Sequence, residues 1–281
     1  MRKIFLLLLV VIVITNKQNL YCVFEEIGVS VEGKVLGDGF LVLCDNPSAL
    51  YYNPSMLSTM KKRELSLFYQ DIYNLGLLTN MFVGYVNPRL GRGGVGIGWV
   101  RMGTTNNVDF MEYSENTFIF AYGQKLGKNL LVGSNIKCYY VDYDYKATGF
   151  GMDISFTYQP FETARAGIVV KNLLLTDIVW QTGTKENIPY ICQLGVSNTF
   201  NKFTVLAGFY FTEKNFEPSV GIKYDLSDSV SLMVGTRVGY KENLLYTLGT
   251  VFSFRKFRFA FGIDYHKILG INTFLELGYK M

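Results

Sequence analysis

A two-residue alternation of side chains runs through most of this chain and limits what it can fold into. From residue 64 to the end, about 14 segments of about 9–12 residues place large apolar side chains at every second position. Phe257, Phe259 and Phe261, for example, alternate with Arg258 and Ala260. Successive side chains of a β-strand point to opposite faces, so the pattern predicts strands with one apolar face and one small or polar face.

The composition indicates which way the apolar face points. Charged residues make up only 18% of the chain, aromatic residues make up 16%, and there are 28 glycines. So few charges would solvate the outside of a soluble sheet protein badly. A membrane barrel instead places apolar and aromatic side chains outward and polar or small ones inward. We therefore expect an all-β fold, a transmembrane antiparallel up-and-down β-barrel of about 14 strands.

The lengths of the predicted connections support this topology independently. If both termini lie on the periplasmic side, the connections after odd-numbered strands include the two longest, near residues 103–115 and 174–188. The connections after even-numbered strands, such as those near residues 199–201 and 253–256, are short. Short turns at one end and longer loops at the other are typical of outer-membrane barrels.

The N-terminus indicates how such a barrel would reach its membrane. Arg2 and Lys3 precede an apolar run, Ile4–Ile14, and polar residues follow it. The run is too short for a membrane-spanning helix, so we predict a cleaved signal peptide over residues 1–21 and a location in the bacterial outer membrane. A retained membrane anchor is the alternative interpretation of the same run.

The charge balance argues against a nucleic-acid partner. The formal net charge is +4, from 27 basic and 23 acidic residues. Loss of residues 1–21 would remove three basic residues and no acidic one, which leaves 24 against 23. The sequence also has no basic patch interleaved with aromatic residues. We expect no nucleic acid among its partners.

The residue types that most often carry chemistry are scarce. Cys22, Cys44, Cys138 and Cys192 have no metal-type spacing, and we expect the last two to be small apolar residues that face lipid. A disulfide between Cys22 and Cys44 is left open. The single histidine, His266, falls in a predicted outer loop. We predict no catalytic residues, no metal site and no cofactor, and hence no enzyme.

The stretch between the signal peptide and the first strand differs from the rest. Asp45, Asn46 and Pro47 can cap a short helix, and Asn53 with Pro54 can start a second turn. This stretch is too polar to cross lipid, so we expect it to fold inside the barrel. The predicted domains are a signal peptide at 1–21, a hatch or plug at 22–62 and a transmembrane β-barrel at 63–281.

The same stretch resembles a known group of proteins. Asp45–Leu57 (DNPSALYYNPSML) is similar to the Asn-Pro signature of the FadL/TodX channels and of the PorV/PorQ family. Gly37–Phe40 resembles the glycine-rich start of the same hatch, and strand pieces such as Gly151–Asp153 resemble the PorV/PorQ pattern. The resemblance implies a 14-stranded barrel with an N-terminal hatch. It also implies either passage of hydrophobic small molecules, as in FadL-type members, or a partner role in protein export, as in PorV-type members.

These expectations lead to two functional hypotheses. The first is a passive channel for hydrophobic small molecules, with Asp45, Asn46, Asn53 and Pro54 as candidate hatch or gating residues. The second is a non-conducting docking component for secreted or surface proteins. An apolar pocket beside the hatch would favour the channel. A packed lumen with exposed apolar outer loops would favour docking. The partners would be outer-membrane lipid together with a hydrophobic ligand or secretion-system proteins.

Charged residues on the polar face are the other candidate site. They could form a salt-bridge network that ties the plug to the wall, or they could form a polar constriction or ligand site. The sequence leaves both interpretations open. The predicted inward-facing residues are Lys137, Asp153, Arg165, Lys171, Lys223, Arg237, Arg258, Asp264 and Glu276.

Overall fold

The computed structural model describes residues 23–90, 93–105, 112–174, 176–213, 215–238 and 244–281. The predicted signal peptide and Cys22 lie outside these residues. The strands of the described part are β1 (Glu64–Asp71), β2 (Leu78–Leu90), β3 (Gly93–Thr104), β4 (Ser114–Leu126), β5 (Leu130–Asp142), β6 (Ala147–Tyr158), β7 (Ala164–Lys171), β8 (Ile178–Trp180), β9 (Lys185–Glu186), β10 (Ile191–Phe200), β11 (Phe203–Phe211), β12 (Phe216–Ser227), β13 (Val230–Val238), β14 (Leu244–Phe254), β15 (Phe257–His266) and β16 (Gly270–Lys280).

Fourteen of these strands close into an antiparallel barrel, which confirms the predicted fold class. Each barrel strand pairs with its neighbour in the chain, and β7 pairs with β10 across the longest connection. The barrel closes where β1 pairs with β16, with Glu64 opposite Lys280. The two short strands β8 and β9 form a hairpin outside the ring, which joins the sheet where Ala147 of β6 pairs with Trp180.

The two faces of the wall follow the predicted alternation. On β15, the side chains of Phe257, Phe259 and Phe261 are 45%, 50% and 44% exposed, whereas those of Arg258 and Ala260 are 5% and 4% exposed. The other barrel strands repeat this arrangement, with exposed apolar residues outward and buried polar or small residues inward. A closed sheet has no free edge, so an apolar outer band is compatible with lipid around it.

The connections confirm the predicted asymmetry between the two ends. Short turns such as 127–129, 201–202 and 255–256 lie at one end, here called the short-turn end. The connections 105–113 and 172–190 lie at the other, the long-loop end. The β8–β9 hairpin within 172–190 was not predicted, because strands of three and two residues are too short to show an alternation.

The helices of the described residues are short, and all but one of them precede the barrel. They are α1 (Val31–Leu36), α2 (Ala49–Tyr52) and the 3₁₀-helices η1 (Gly37–Val42), η2 (Pro54–Thr59) and η3 (Ile72–Asn74). The part of the chain that the structure describes contains no helix with the length and apolar character needed to span a bilayer. The sequence did not predict η3, which lies between β1 and β2.

Residues 29–60, here called the inner segment, lie inside the barrel. Val29, Leu50 and Met56 are fully buried there and belong to one apolar cluster with wall residues such as Phe82. Inward-facing glycines let the wall approach the segment closely. A Cβ atom at Gly221 of β12, for example, would lie only 2.7 Å from the carbonyl oxygen of Leu36.

Candidate functional site

Two copies of one turn organise the inner segment, at Asn46-Pro47-Ser48 and at Asn53-Pro54-Ser55. In the first, Asn46 Oδ1 accepts hydrogen bonds from the backbone N–H and the hydroxyl of Ser48, at 2.9 and 2.6 Å. In the second, Asn53 Oδ1 accepts the same pair of bonds from Ser55, at 3.1 and 2.7 Å. Asparagine side chains commonly bond to the backbone two residues on, so each turn is locally determined.

The structure confirms the turn predicted at Asn53-Pro54 and corrects the helix start predicted at Asp45-Asn46-Pro47, with Pro47 as the first helical residue. Asn53 caps the 3₁₀-helix η2, and Pro54 occupies its first position. Helix α2 begins at Ala49, two residues after Pro47, so Pro47 lies in the preceding turn and is not the first residue of the helix. Asp45 is exposed at the edge of this turn, and Asn46 supplies the side-chain hydrogen bonds.

Asn53 joins the inner segment to the wall. Its Nδ2 donates to the carbonyl of Leu41 at 2.8 Å and to Thr157 Oγ1 on β6 at 2.9 Å. The backbone N–H of Ser55 donates to Ser155 Oγ on the same strand at 2.9 Å. Asn53 is fully buried, and both ends of its amide make two hydrogen bonds. This residue therefore fixes two parts of the inner segment to one strand.

Asn46 has a different partner, the carboxylate of Glu32, to which its Nδ2 donates at 3.2 Å. Glu32 also pairs with Arg258 on β15 and with Lys223 on β12, the latter at 3.5 Å. Arg258 in turn donates from Nη1 to Glu276 Oε1 on β16 at 2.8 Å. Burial alone would raise the pKa of Glu32, but Arg258 and Lys223 outweigh it and hold that pKa below its usual range.

A second charged cluster lies nearer the long-loop end. Lys137 Nζ of β5 is 2.8 Å from Asp153 Oδ2 of β6, and it is 3.9 Å from Glu26 Oε1. Lys171 at the end of β7 pairs with the same Glu26 and lies 4.3 Å from the ring centre of Tyr51. Burial opposes ionisation of Glu26, yet Lys171 and Lys137 dominate and lower its pKa.

The remaining predicted charges also lie on the inward face but do not join these clusters. Arg237 Nε is 3.6 Å from Asp38 Oδ2 of the inner segment. Asp264 accepts a 3.4 Å hydrogen bond from Asn272. Arg165 donates from Nη1 to the carbonyl of Val42 at 3.2 Å. Most of the predicted wall charges therefore contact residues that precede the barrel.

The acidic partners in front of the first strand were not predicted from the sequence. Glu26, Glu32 and Asp38 each face a basic residue of the wall. A usable signal was present, because the predicted inward-facing set holds more basic than acidic residues, and a buried charge requires a counter-charge. The stretch before the barrel was the remaining source of acids for the lumen.

The three described cysteines and the histidine lie at separate places in the fold. Cys44 is buried, burial raises the pKa of its thiol, and the partner proposed for it is outside the described residues. Cys138 is exposed on the outward face of β5 and Cys192 is half-buried on β10. His266 Nδ1 accepts hydrogen bonds from the N–H groups of the outer turn, including that of Leu269 at 3.1 Å. Within the described ranges, no three Cys, His, Asp or Glu side chains converge as a metal site would require.

A cluster of buried apolar side chains, here called the outer cluster, lies at the long-loop end between the wall and the β8–β9 hairpin. Two side chains that precede the inner segment, Val23 and Phe24, pack against it. The cavity beside Phe24 has a volume of about 30 Å³, room for one or two water molecules, and charged side chains such as Glu26 and Lys137 contribute to its lining. The buried residues of the outer cluster are Tyr139, Val141, Ala147, Ile178 and Ile188.

A larger cavity of about 300 Å³ lies at the short-turn end, between the inner segment and β7, β11 and β12. Charged and hydroxyl side chains make up most of its lining. Its lining residues are Glu32, Leu36, Phe40, Leu43, Asp45, Thr59, Lys61, Arg165, Thr204 and Lys223.

Comparisons with known proteins find similarity of structure but not of sequence. No family model and no curated protein matches the chain. The toluene transporter TbuX of Ralstonia pickettii matches with a TM-score of 0.69 at 14% identity, over 90% of this chain and 98% of that one. A FadL homologue of Pseudomonas aeruginosa matches with a TM-score of 0.66 at 12% identity, over 90% and 98% of the two chains.

A third similar structure is the CymD monoaromatic hydrocarbon channel, with a TM-score of 0.67 at 12% identity over 91% of this chain and 98% of that one. At these identities the similarity concerns the fold. The specific PorV/PorQ assignment gains no support, since no family model matches. The chain thus shares the closed 14-stranded barrel, with a short helical segment near its N-terminus, of FadL/TodX-type outer-membrane proteins.

Proposed function

We propose that this protein is a passive outer-membrane channel for hydrophobic small molecules, exported through the signal peptide at residues 1–21. The inner segment acts as the hatch, and Asn46, Asn53 and Pro54 set its resting position, with Asp45 at its exposed edge. Passage needs no energy source beyond the ligand gradient. The observation that carries the proposal is the outer cluster with Phe24 packed against it, because the buried wall residues around this apolar cluster are otherwise largely polar or charged.

The position of Phe24 against the outer cluster supports the proposal. The Phe24 ring centre lies 4.6 Å from that of Tyr139, and the backbone N–H of Phe24 donates to Glu115 Oε2 at 2.8 Å. Phe24 also has a φ of 64°, in the left-handed region that costs a non-glycine residue on the order of 1 kcal/mol. A residue with a strained backbone whose ring packs against an apolar cluster is displaceable by a ligand of similar shape, so an aromatic hydrocarbon is the best-fitting class.

The charged cluster around Glu26 supports a resting closed state. Glu26 lies two residues after Phe24, and its pairs with Lys137 and Lys171 hold this stretch against β5 and β7. Two of the similar structures are a toluene transporter and a monoaromatic hydrocarbon channel, which agrees with the proposed ligand class. We propose that a ligand enters at the long-loop end, displaces Phe24 and then passes the inner segment.

Toluene uptake into liposomes tests this function. Purified protein in liposomes should take up toluene faster than empty liposomes do. Phe24→Ala should raise the rate of toluene uptake several-fold, because it removes the ring that packs against the outer cluster. Phe161→Ala is the matched control, since Phe161 is 72% exposed in a short turn and should not alter the rate. Uptake equal to that of empty liposomes, for the wild type and for Phe24→Ala alike, would remove the channel function.

One set of observations favours the docking alternative as a second candidate. The cavity beside Phe24 is small. Several apolar side chains at the long-loop end are well exposed, including Leu75 at 62%, Leu174 at 67% and Ile268 at 77%. Exposed apolar patches often mark protein contacts. A deletion strain distinguishes the two functions. Lost export of surface proteins with unchanged toluene uptake would favour docking, whereas lost uptake with normal export would favour the channel.

A further inference from the structure

We propose that a patch of basic side chains on the outer rim of the barrel binds the phosphate head group of an anionic phospholipid. The patch lies at the short-turn end, beside the pairing of β16 with β1 that closes the barrel. Its members, Lys62, Arg63, Arg255 and Lys256, are all exposed, and we call them the seam patch. The inference goes beyond the proposed channel function and does not depend on it, because the patch lies outside the lumen.

The two ends of the barrel differ in charge. At the short-turn end, the described turns and the three residues before β1 carry seven basic side chains and two acidic ones. The basic side chains lie in residues 61–63, 127–129, 201–202 and 255–256. The described connections of the long-loop end carry five acidic and three basic side chains. An anionic partner is therefore favoured at the short-turn end.

The seam patch brings four of the seven basic side chains onto neighbouring strands. The carbonyl of Lys256 accepts a hydrogen bond from the N–H of Lys280 at 2.7 Å, and the carbonyl of Arg63 accepts one from the N–H of Met281 at 2.8 Å. The end of β16 therefore lies between the two halves of the patch. Neighbouring strands lie about 4.8 Å apart, so the halves are about 10 Å apart. This is close to the screening length at physiological salt, and their fields overlap.

No carboxylate of the described chain neutralises the seam patch. None of its four side chains takes part in a salt bridge among the described residues. The lumenal Arg258, by contrast, pairs with the carboxylates of Glu32 and Glu276. Exposed ammonium and guanidinium groups without such a partner keep their donors for an external phosphate, which both kinds of group bind.

Aromatic side chains beside the patch indicate a lipid as the source of the phosphate. The guanidinium carbon of Arg255 is 5.2 Å from the centre of the Phe254 ring, and Lys256 Nζ is 5.9 Å from that of Tyr279. Phe254 and Phe257 are 65% and 45% exposed on the outward face. Aromatic rings of this kind lie at the boundary between the apolar core of a membrane and its head groups. A ligand on the patch therefore holds its phosphate beside acyl chains, as a phospholipid does.

Lipid selectivity in liposomes tests the site. Electron spin resonance of spin-labelled lipids measures the fraction held at the surface of the purified protein in phosphatidylcholine liposomes. Phosphatidylglycerol should be preferred over phosphatidylcholine several-fold, and about 1 M salt should weaken that preference. The quadruple variant Lys62→Gln, Arg63→Gln, Arg255→Gln and Lys256→Gln should reduce the preference at least about twofold.

The matched control removes positive charge from the opposite end of the barrel. The triple variant Lys146→Gln, Lys185→Gln and Lys267→Gln changes exposed residues of the long-loop end and should keep the wild-type preference. Heat-modifiable migration on a gel checks that both variants are folded. Sodium phosphate in place of sodium chloride, at equal ionic strength, should leave the preference unchanged, because free phosphate has no acyl chains.

Three results would overturn the inference. Loss of the preference in sodium phosphate would identify the seam patch as a site for free phosphate. An equal loss in the triple variant would show that the charge acts without regard to its place on the barrel. Full preference in the quadruple variant would show that the patch binds no lipid and would point to an acidic protein as its partner.

Discussion

The two Asn-Pro-Ser turns of the inner segment have the same local structure but different partners. Asn46 and Asn53 each accept two hydrogen bonds from the serine two residues on. The amide nitrogen of Asn53 then binds neutral groups, including Thr157 of the wall, whereas that of Asn46 binds the carboxylate of Glu32. Sequence determines such a turn, but the surrounding barrel determines whether it is held by neutral hydrogen bonds or through a charged network.

The largest expected effect comes from removing the counter-charge of that network. Arg258→Met should lower the free energy of unfolding by about 4 kcal/mol, because it leaves Glu32 and Glu276 buried without their guanidinium. Urea unfolding in detergent, followed by circular dichroism, measures the change. Arg237→Met should lower the free energy of unfolding by less, since the Arg237 side chain is 32% exposed and its ion pair with Asp38 is 3.6 Å long. Equal losses in the two variants would contradict this account of the network.

Asn53→Ala should have the next largest effect. The substitution leaves the carbonyl of Leu41 and the hydroxyl of Thr157 without this donor in a fully buried place, so we expect a loss of about 3 kcal/mol. Limited proteolysis should also cleave the inner segment faster, since its attachment to β6 is weakened. A variant with wild-type stability and protease resistance would show that Asn53 does not anchor the segment.

Neutral and charged attachments should also differ in their pH dependence. The folded-state pKa of Glu26 lies below its unfolded value of 4.5, so its stabilisation is fully present above pH 4.5 and is lost as the pH falls through the folded-state pKa. At pH 7, Glu26→Gln should lower the free energy of unfolding by about 2 kcal/mol relative to the wild type. That difference should shrink as the pH falls below 4.5. A difference between the two proteins that stays constant from pH 7 to pH 3 would show that the Glu26 charge contributes nothing.

Asn46→Ala should have the smallest effect of the series. Glu32 keeps its ion pairs with Arg258 and Lys223 after the substitution. We therefore expect the free energy of unfolding to fall by about 1 kcal/mol, mainly because the two hydrogen bonds that Ser48 donates to Asn46 are lost. The comparison with Asn53→Ala uses the same urea titration. If Asn46→Ala is the more damaging of the two, the assignment of the stronger anchor to Asn53 is wrong.

Local patterns predicted much of this molecule. The alternation predicted the strands and their faces, the connection lengths predicted which end carries the long loops, and Asn53-Pro54 predicted the start of a turn. These features depend on residues close together in the chain. The β8–β9 hairpin was missed because its strands are too short for a periodic signal.

The contacts between the inner segment and the wall could not be predicted in the same way. Glu32 and Arg258 are separated by 226 positions in the sequence, and Asn53 and Thr157 by 104. Their meeting depends on the register of the closed barrel and on the path of the inner segment within it. The sequence could indicate that inward charges need partners, but it could not say which ones. The gating role of Asp45, Asn46, Asn53 and Pro54 and the domain boundary near residue 62 stay predictions.

The most direct test of the account is whether the inner segment must move for a ligand to pass. A Cβ atom at Gly167 of β7 would lie 2.7 Å from Val42 Cγ1, close to the geometry of a disulfide after Val42→Cys and Gly167→Cys together. Toluene uptake by this double variant in liposomes is measured before and after reduction. We predict uptake near that of empty liposomes in the oxidised protein, restored by reductant. Equal uptake in both states, well above empty liposomes, would contradict the claim that the inner segment is the hatch.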